Sequence, residues 1–185
     1  FMNGAEIQVN GNVQDAVGNT MNAGKIIVHG DAGDLLGHSM RGGRIYVRGS
    51  VGYRTGIHIK AFKEKLPVIV IGGMAGDYLG EYMAGGMIVV LGLNREKDRE
   101  IVGRFIGPGM HGGGLFLNGD VSDRKLSPEV ARVKITDEEK EKLREVLRDY
   151  AKEMALDNLI PDKIIPKLVK LIPITTRPYG KLYAY

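Results

Sequence analysis

Two aliphatic residues separated by one position recur along the first two-thirds of the chain: Ile7/Val9, Ile26/Val28, Ile45/Val47, Ile69/Ile71, Ile88/Val90 and Leu115/Leu117. Alternation at period two puts both members of a pair on one face of a short strand, with Gln8, His29 and Asn118 among the residues on the other. Two residues beyond each pair stands a glycine. Gly11, Gly30 and Gly49 are spaced by 19 residues, Gly73 follows after 24, Gly92 after 19 and Gly119 after 27. The two long intervals are 19 plus insertions of 5 and 8 residues, and the inserted stretches, Lys60 to Lys65 and Asn94 to Glu100, are polar. Self-similarity at a fixed period marks a repeat architecture whose insertions project as loops.

Further columns run at the same period. Val17, Leu36, Thr55, Leu79 and Ile106 each precede a glycine, and Met21, Met40, Ile59, Met83 and Met110 form another set. Gly18, Gly37, Gly56, Gly80 and Gly107 repeat at the offset where the chain must turn a corner. A lone strand of this length cannot bury its apolar face, whereas stacked repeats bury it as continuous columns. About four inward apolar side chains per repeat, at roughly 1.5–3 kcal/mol each, make a core plausible without disulfides. The expected fold is mainly β: a single-stranded right-handed parallel β-helix of about six coils over residues 1–123, with a C-terminal α-helical extension and extended tail over 124–185.

The helix is signed by Thr136-Asp-Glu-Glu139, a capping box, with acids in the first turn to suit the helix dipole. Leu143, Val146, Leu147, Tyr150 and Met154 give it one apolar face. Asn158 to Pro161 ends it. A shorter apolar segment, Ile164 to Ile172, is interrupted by Pro166 and closed by Pro173.

Charge and composition narrow the function classes. A net charge of +4 is too mild to argue for nucleic acid, and no basic run with interleaved aromatics occurs. With no cysteine, the chain holds no disulfide, no Cys-ligated zinc and no thiolate-ligated iron–sulfur cluster of its own. No apolar stretch approaches the roughly 18 residues that a membrane span needs, and no signal peptide is expected from the first residues, so the expectation is a cytoplasmic protein without membrane partners.

Three sets of residues invite a chemical reading. Gly107-Pro-Gly109-Met-His-Gly112 matches Gly-x-Gly-x-x-Gly, but the next segment is a strand of the repeat where a nucleotide fingerprint needs a helix. His38 and His58 fall near one corner of successive repeats, yet neither they nor His29 and His111 have metal-ligand spacing, and the reading is corner histidines. Asp15, Asp34 and Asp77 share one offset, with Tyr53 in that place in the third repeat. A carboxylate pair is weighed here against turn residues that cap backbone N–H groups, and the second reading is preferred.

The run Gly30-Asp-Ala-Gly-Asp-Leu-Leu-Gly-His-Ser-Met-Arg-Gly-Gly-Arg-Ile-Tyr-Val-Arg-Gly49, echoed from Gly73 to Gly92, resembles the GXGXG domain of the glutamate synthase large (alpha) subunit. More distantly, the same pattern is similar to one of the subunits of formylmethanofuran dehydrogenase. Ile165-Pro-Lys-Leu-Val-Lys-Leu-Ile-Pro173 and Arg177-Pro-Tyr-Gly180 resemble the ending of the stand-alone form, in which the synthase is split into separate polypeptides.

This resemblance implies a noncatalytic structural subunit of a split glutamate synthase-like oxidoreductase that makes glutamate from glutamine and 2-oxoglutarate. It implies a glutaminase subunit and an FMN-bearing synthase subunit with an iron–sulfur cluster as partners, no cofactor or metal on this chain, and a share in enclosing the ammonia path. No catalytic residue carries over to this chain. The candidate partner interface is the aromatic tail, Arg177, Pro178, Tyr179, Gly180, Tyr183 and Tyr185. Two other readings stand beside it: a scaffold in a formylmethanofuran dehydrogenase-like complex, and an independent β-helical protein that cleaves or binds carbohydrate.

Overall fold

A computed structural model describes residues 1–93, 95 and 99–174. Six strands, β1 (Asn3–Val9), β2 (Ala23–Val28), β3 (Arg44–Val47), β4 (Val68–Ile71), β5 (Ala84–Val90) and β6 (Gly112–Asn118), lie side by side in chain order, each parallel to the next. The register runs Ile7, Ile26, Ile45, Ile69, Ile88, Leu115 across the sheet, so the period-two pairs form columns as their spacing requires. The segment after β6 forms β7 (Val130–Val133), helix α1 (Asp137–Glu153), a one-turn helix α2 (Pro161–Ile164) and β8 (Leu168–Pro173). β8 pairs antiparallel with β6, and β7 pairs antiparallel with β8.

This architecture corrects the expected parallel β-helix. The fold is one eight-stranded mixed sheet of order β1-β2-β3-β4-β5-β6-β8-β7, in which strand-length pairing occurs on one side of each repeat. Between strands, successive repeats touch through single bridges, Val13 to Ala32, Val51, Ala75 and Val102, and through turn hydrogen bonds such as Gly56 N–H to Leu36 C=O at 2.7 Å. The physical reason lies in the backbone. Each of these connections carries three left-handed residues at alternate positions, for example Leu35, Gly37 and Ser39 with φ of 59°, 69° and 55°, and such a path cannot extend into a strand. Within the C-terminal segment, β8 and β7 extend the sheet beyond β6.

The inner face of the sheet packs on the connections. Ile26, Ile45, Ile69, Ile88, Leu115 and their pair mates Val28, Val47, Ile71, Val90, Leu117 meet Leu36, Leu79, Ile106 and the column Met21, Met40, Ile59, Met83, Met110. The middle left-handed residue of each connection is always glycine. A Cβ on Gly18, Gly37, Gly56, Gly80 or Gly107 would stand at 3.0 Å or less from Ile45, Ile69, Ile88, Leu115 or Val130, so this glycine is excluded from having a side chain by the core itself.

The outer face is apolar too. Ile27, Tyr46, Val70, Val89 and Phe116 form a second core with Leu143, Val146, Leu147 and Tyr150 of α1 and with Met154 at its C-terminal cap. The helix begins with the capping box: Thr136 accepts the Glu139 N–H while Glu139 accepts the Thr136 N–H at 2.9 Å. Burying the four fully covered side chains Leu143, Val146, Leu147 and Tyr150 contributes, gross, on the order of 6–12 kcal/mol. Part-exposed ion pairs contribute up to about 1 kcal/mol each, so apolar burial holds the helix and charge orients it. Among the described residues, no helix is long and apolar enough to cross a membrane.

Candidate interaction surface

The aspartate column consists of caps between repeats. Asp15 Oδ1 accepts the backbone N–H of Asp34 at 2.8 Å, Asp34 Oδ1 that of Tyr53 at 2.7 Å, and Asp77 Oδ1 that of Arg104 at 2.7 Å. A second column does the same three residues earlier: Asn12 caps Asp31 at 2.9 Å, Asp31 caps Ser50 at 2.7 Å, and Ser50 caps Met74 at 3.1 Å. Each carboxylate thus serves the next repeat's backbone, where a turn cap would have served its own. The Arg104 N–H holds the Asp77 carboxyl below the usual carboxylate range, helped by the Arg104 side chain. Oxygens engaged in this way are not a free acid–base pair.

His38 and His58 do come together, with ring centroids 6.1 Å apart and planes tilted by 51°. The other neighbour of His58 is Tyr82, whose ring lies 5.1 Å away and within 11° of parallel. Stacked rings do not converge on a metal. Among the described residues, no group of three His, Cys, Asp or Glu is placed to hold one. His29 meets Gln8 at 2.7 Å, and His111 Nδ1 lies 3.1 Å from the Gly109 carbonyl. Gly107 and Gly109 have φ of 70° and 65° in the last connection, and Gly112 opens β6, so the Gly-x-Gly-x-x-Gly run leads into a strand.

Around the histidines lies a feature that the sequence reading missed. The outer two left-handed columns hold Ala16, Leu35, Arg54, Tyr78, Phe105 and Thr20, Ser39, His58, Tyr82, Gly109. In the later repeats these side chains stack: Arg54 over Tyr78 at 4.9 Å, Tyr78 on Phe105 at 5.0 Å, and His58 on Tyr82. Tyr82 is 48% and Phe105 49% exposed. A left-handed backbone costs a side-chain-bearing residue roughly 1–2 kcal/mol, so exposed aromatic residues at these positions are an expensive choice. The signal was present as the offsets of Tyr78, Tyr82 and Phe105, but their backbone conformation was not legible.

A second surface lies beside α1. A groove of about 800 Å³ is floored by Gly85, Gly86, Gly113, Gly114, Met87 and Phe116, and walled by Glu138, Glu141 and Glu145 of the helix. The first insertion borders it, folded back by the mutual backbone hydrogen bonds of Phe62 and Lys65 at 3.1 and 3.0 Å. At its edge the nearly buried Lys170 pairs with Glu139 at 2.6 Å. Burial works against the Glu139 charge, but Lys170 and the Thr136 N–H outweigh it and hold that carboxyl below its ordinary range. One turn further along α1 from Glu145, Asp149 accepts from Arg44 at 2.6 Å, Tyr46 at 2.8 Å and Lys25 at 3.0 Å. Burial opposes its ionisation, and these three donors override that and lower its pKa. Burial and Asp149 together push the Tyr46 phenol well above its usual range, so it stays a donor.

Of the second insertion, residues 94 and 96–98 lie outside the described residues, as do Arg177, Pro178, Tyr179, Gly180, Tyr183 and Tyr185, the candidate partner interface.

Comparison with known proteins accords with the repeat. An uncharacterised protein of Methanocaldococcus jannaschii, MJ1350, is 45% identical over 186 residues, covering 99% of this chain and 71% of the relative. The family model described as the GXGXG motif matches residues 1–174, and it spans the glycine columns, the caps between repeats and the C-terminal strands alike. The chain therefore belongs to the GXGXG motif family, the domain type of the glutamate synthase alpha subunit.

Proposed function

We propose that the chain is a structural, noncatalytic component of a glutamate synthase-like oxidoreductase, one that makes glutamate from glutamine and 2-oxoglutarate. In this reading it holds the glutaminase and synthase parts in register and contributes a wall to the ammonia path between them. The observation that carries it is the GXGXG match along residues 1–174. The structure supports a body whose purpose is stiffness: both faces of the sheet are covered at its centre, from β3 to β6, and the recurrent carboxylates are engaged by backbone N–H groups. FMN and the iron–sulfur cluster belong to the partner catalytic polypeptide, since this chain has no cysteine to ligate a cluster.

Co-expression with a glutamate synthase catalytic polypeptide and its glutaminase tests this reading. The expected result is a complex that co-purifies and whose glutamine-dependent glutamate formation falls when this chain is omitted. Failure of the chain to associate with either polypeptide would sink it.

A further inference from the structure

The sheet has two edge strands, β7 at one end and β1 at the other, and they differ in how well the inner core beside them is closed. β6 is covered by β8, and the column members there, Leu115 and Leu117, are fully buried. β1 has no strand on its outer side among the described residues. Six of its seven residues are exposed, and Ile7, first in a column that is fully buried from Ile45 onward, is 45% exposed. Met2, Val13 and Val17 of the same first repeat are only partly buried against the inner core.

Glycines indicate what this open end receives. Gly30, Gly49 and Gly73 are needed because a Cβ there would fall under 3.0 Å from Asn12, Asp31 or Ser50 of the preceding repeat. Gly11 stands at the same offset, yet a Cβ there would meet nothing within 4 Å, and its φ is outside the left-handed region. No contact within the described chain accounts for it. Three residues further on, Gly33, Gly52 and Gly76 are again required by the repeat below, but the first repeat carries Gln14. The first repeat keeps glycine where a neighbouring strand would pass and drops it where a whole further repeat would sit. One added strand satisfies both facts.

We propose that this strand is β1 of a second copy, paired antiparallel about a two-fold axis through Ile7. Val9 C=O accepts the His29 N–H and so faces β2. By alternation Ile7 faces β2 as well, while Glu6 and Gln8 turn their N–H and C=O groups to the free edge. An axis through Ile7 then sets Glu6 against Gln8 of the second copy, twice, as hydrogen-bonded pairs, and Ile7 against Ile7 as the closer non-hydrogen-bonded pair. An axis through Glu6 would set two carboxylates face to face, which is unfavourable. Gly11 lies where the second copy's β1 begins, and the open ends of the two inner cores meet. The contact is isologous, so it closes at two copies.

The test uses the 185-residue chain, whose lack of cysteine makes cross-linking clean. Sedimentation should give a dimer of twice 20.2 kDa with a dissociation constant in the micromolar range. Under mild oxidation Ile7→Cys should cross-link to a covalent dimer, and Glu6→Cys, set against Gln8, should not. Gly11→Val projects into open space in the single chain, so it should keep the monomer's melting temperature and weaken the dimer at least tenfold. A chain that stays monomeric up to about 100 μM overturns the proposal. So does a dimer that is indifferent to Gly11→Val, or in which Ile7→Cys fails to cross-link.

Discussion

Asp15 Oδ1 accepts the backbone N–H of Asp34 at 2.8 Å, and Asp34 in turn accepts that of Tyr53 at 2.7 Å, so one residue is both capped and capping. Removing the acceptor leaves the Tyr53 N–H to solvent. Asp34→Ala should cost about 1–2 kcal/mol, and Asp34→Asn, which keeps the oxygen, well under half of that. Urea titrations of the two variants check the difference.

Gly37 and Ser39 are both left-handed, with φ of 69° and 55°, but only Gly37 has the side chain of Ile69 against the place of its missing Cβ. Gly37→Ala therefore combines backbone strain with overpacking and should destabilise by about 2–4 kcal/mol. Ser39→Asn, a residue that tolerates this conformation, should stay within about 0.5 kcal/mol. Thermal melts separate the two outcomes.

Asp149, Glu139 and Glu145 all have folded-state pKa values below their ordinary ones. A depressed carboxylate binds fewer protons folded than unfolded near its pKa, so its contribution is full above about pH 5 and is lost as the pH falls through about 4 and below. The docking of α1 should accordingly weaken in acid. Asp149→Asn should lower the melting temperature at pH 7, and its deficit against the parent chain should shrink towards pH 3.

Tyr150 is fully buried and its hydroxyl donates to the Val47 carbonyl at 3.1 Å, tying α1 to β3. Tyr150→Phe should cost about 1–2 kcal/mol while leaving the helix in place. Tyr150→Ala, which also empties the space beside the Tyr46 ring, 5.6 Å away between centroids, should cost about 3–5 kcal/mol. Denaturant midpoints at constant m-value are the appropriate measurement.

The inner face of the sheet was legible residue by residue, because the pairs from Ile7/Val9 to Leu115/Leu117 alternate strictly and sit at a fixed period. The outer face was legible only in part. Val68-Ile-Val-Ile71 and Met87-Ile-Val-Val90 are unbroken apolar runs, the mark of strands covered on both sides, but the reading from alternation used only every second residue and did not assign the outer ones to α1. Ile27 and Tyr46 stand singly among polar residues and gave no such signal.

The candidate carboxylates were assigned to capping correctly in kind but to the wrong recipient. Whether Asp34 reaches its own N–H groups or those of Tyr53 depends on how closely two repeats stack, and spacing within one repeat is silent on that. The mixed sheet was hidden for a similar reason. Leu168 to Pro173 reads as a short apolar segment, and nothing local says that it pairs antiparallel with β6.

The sequence by itself determined the repeat, the columns, the capped helix and the absence of any thiol chemistry, since each follows from periodicity or composition. Only the tertiary structure decided that the stack is one mixed sheet covered by α1, that the aspartates bind the neighbouring repeat, and that β1 has no strand on its outer side among the described residues. Those outcomes depend on pairings between residues 19 to more than 100 positions apart, such as Asp15 with Asp34 and Val47 with Tyr150, and no local pattern encodes which distant surface a strand or carboxylate will meet.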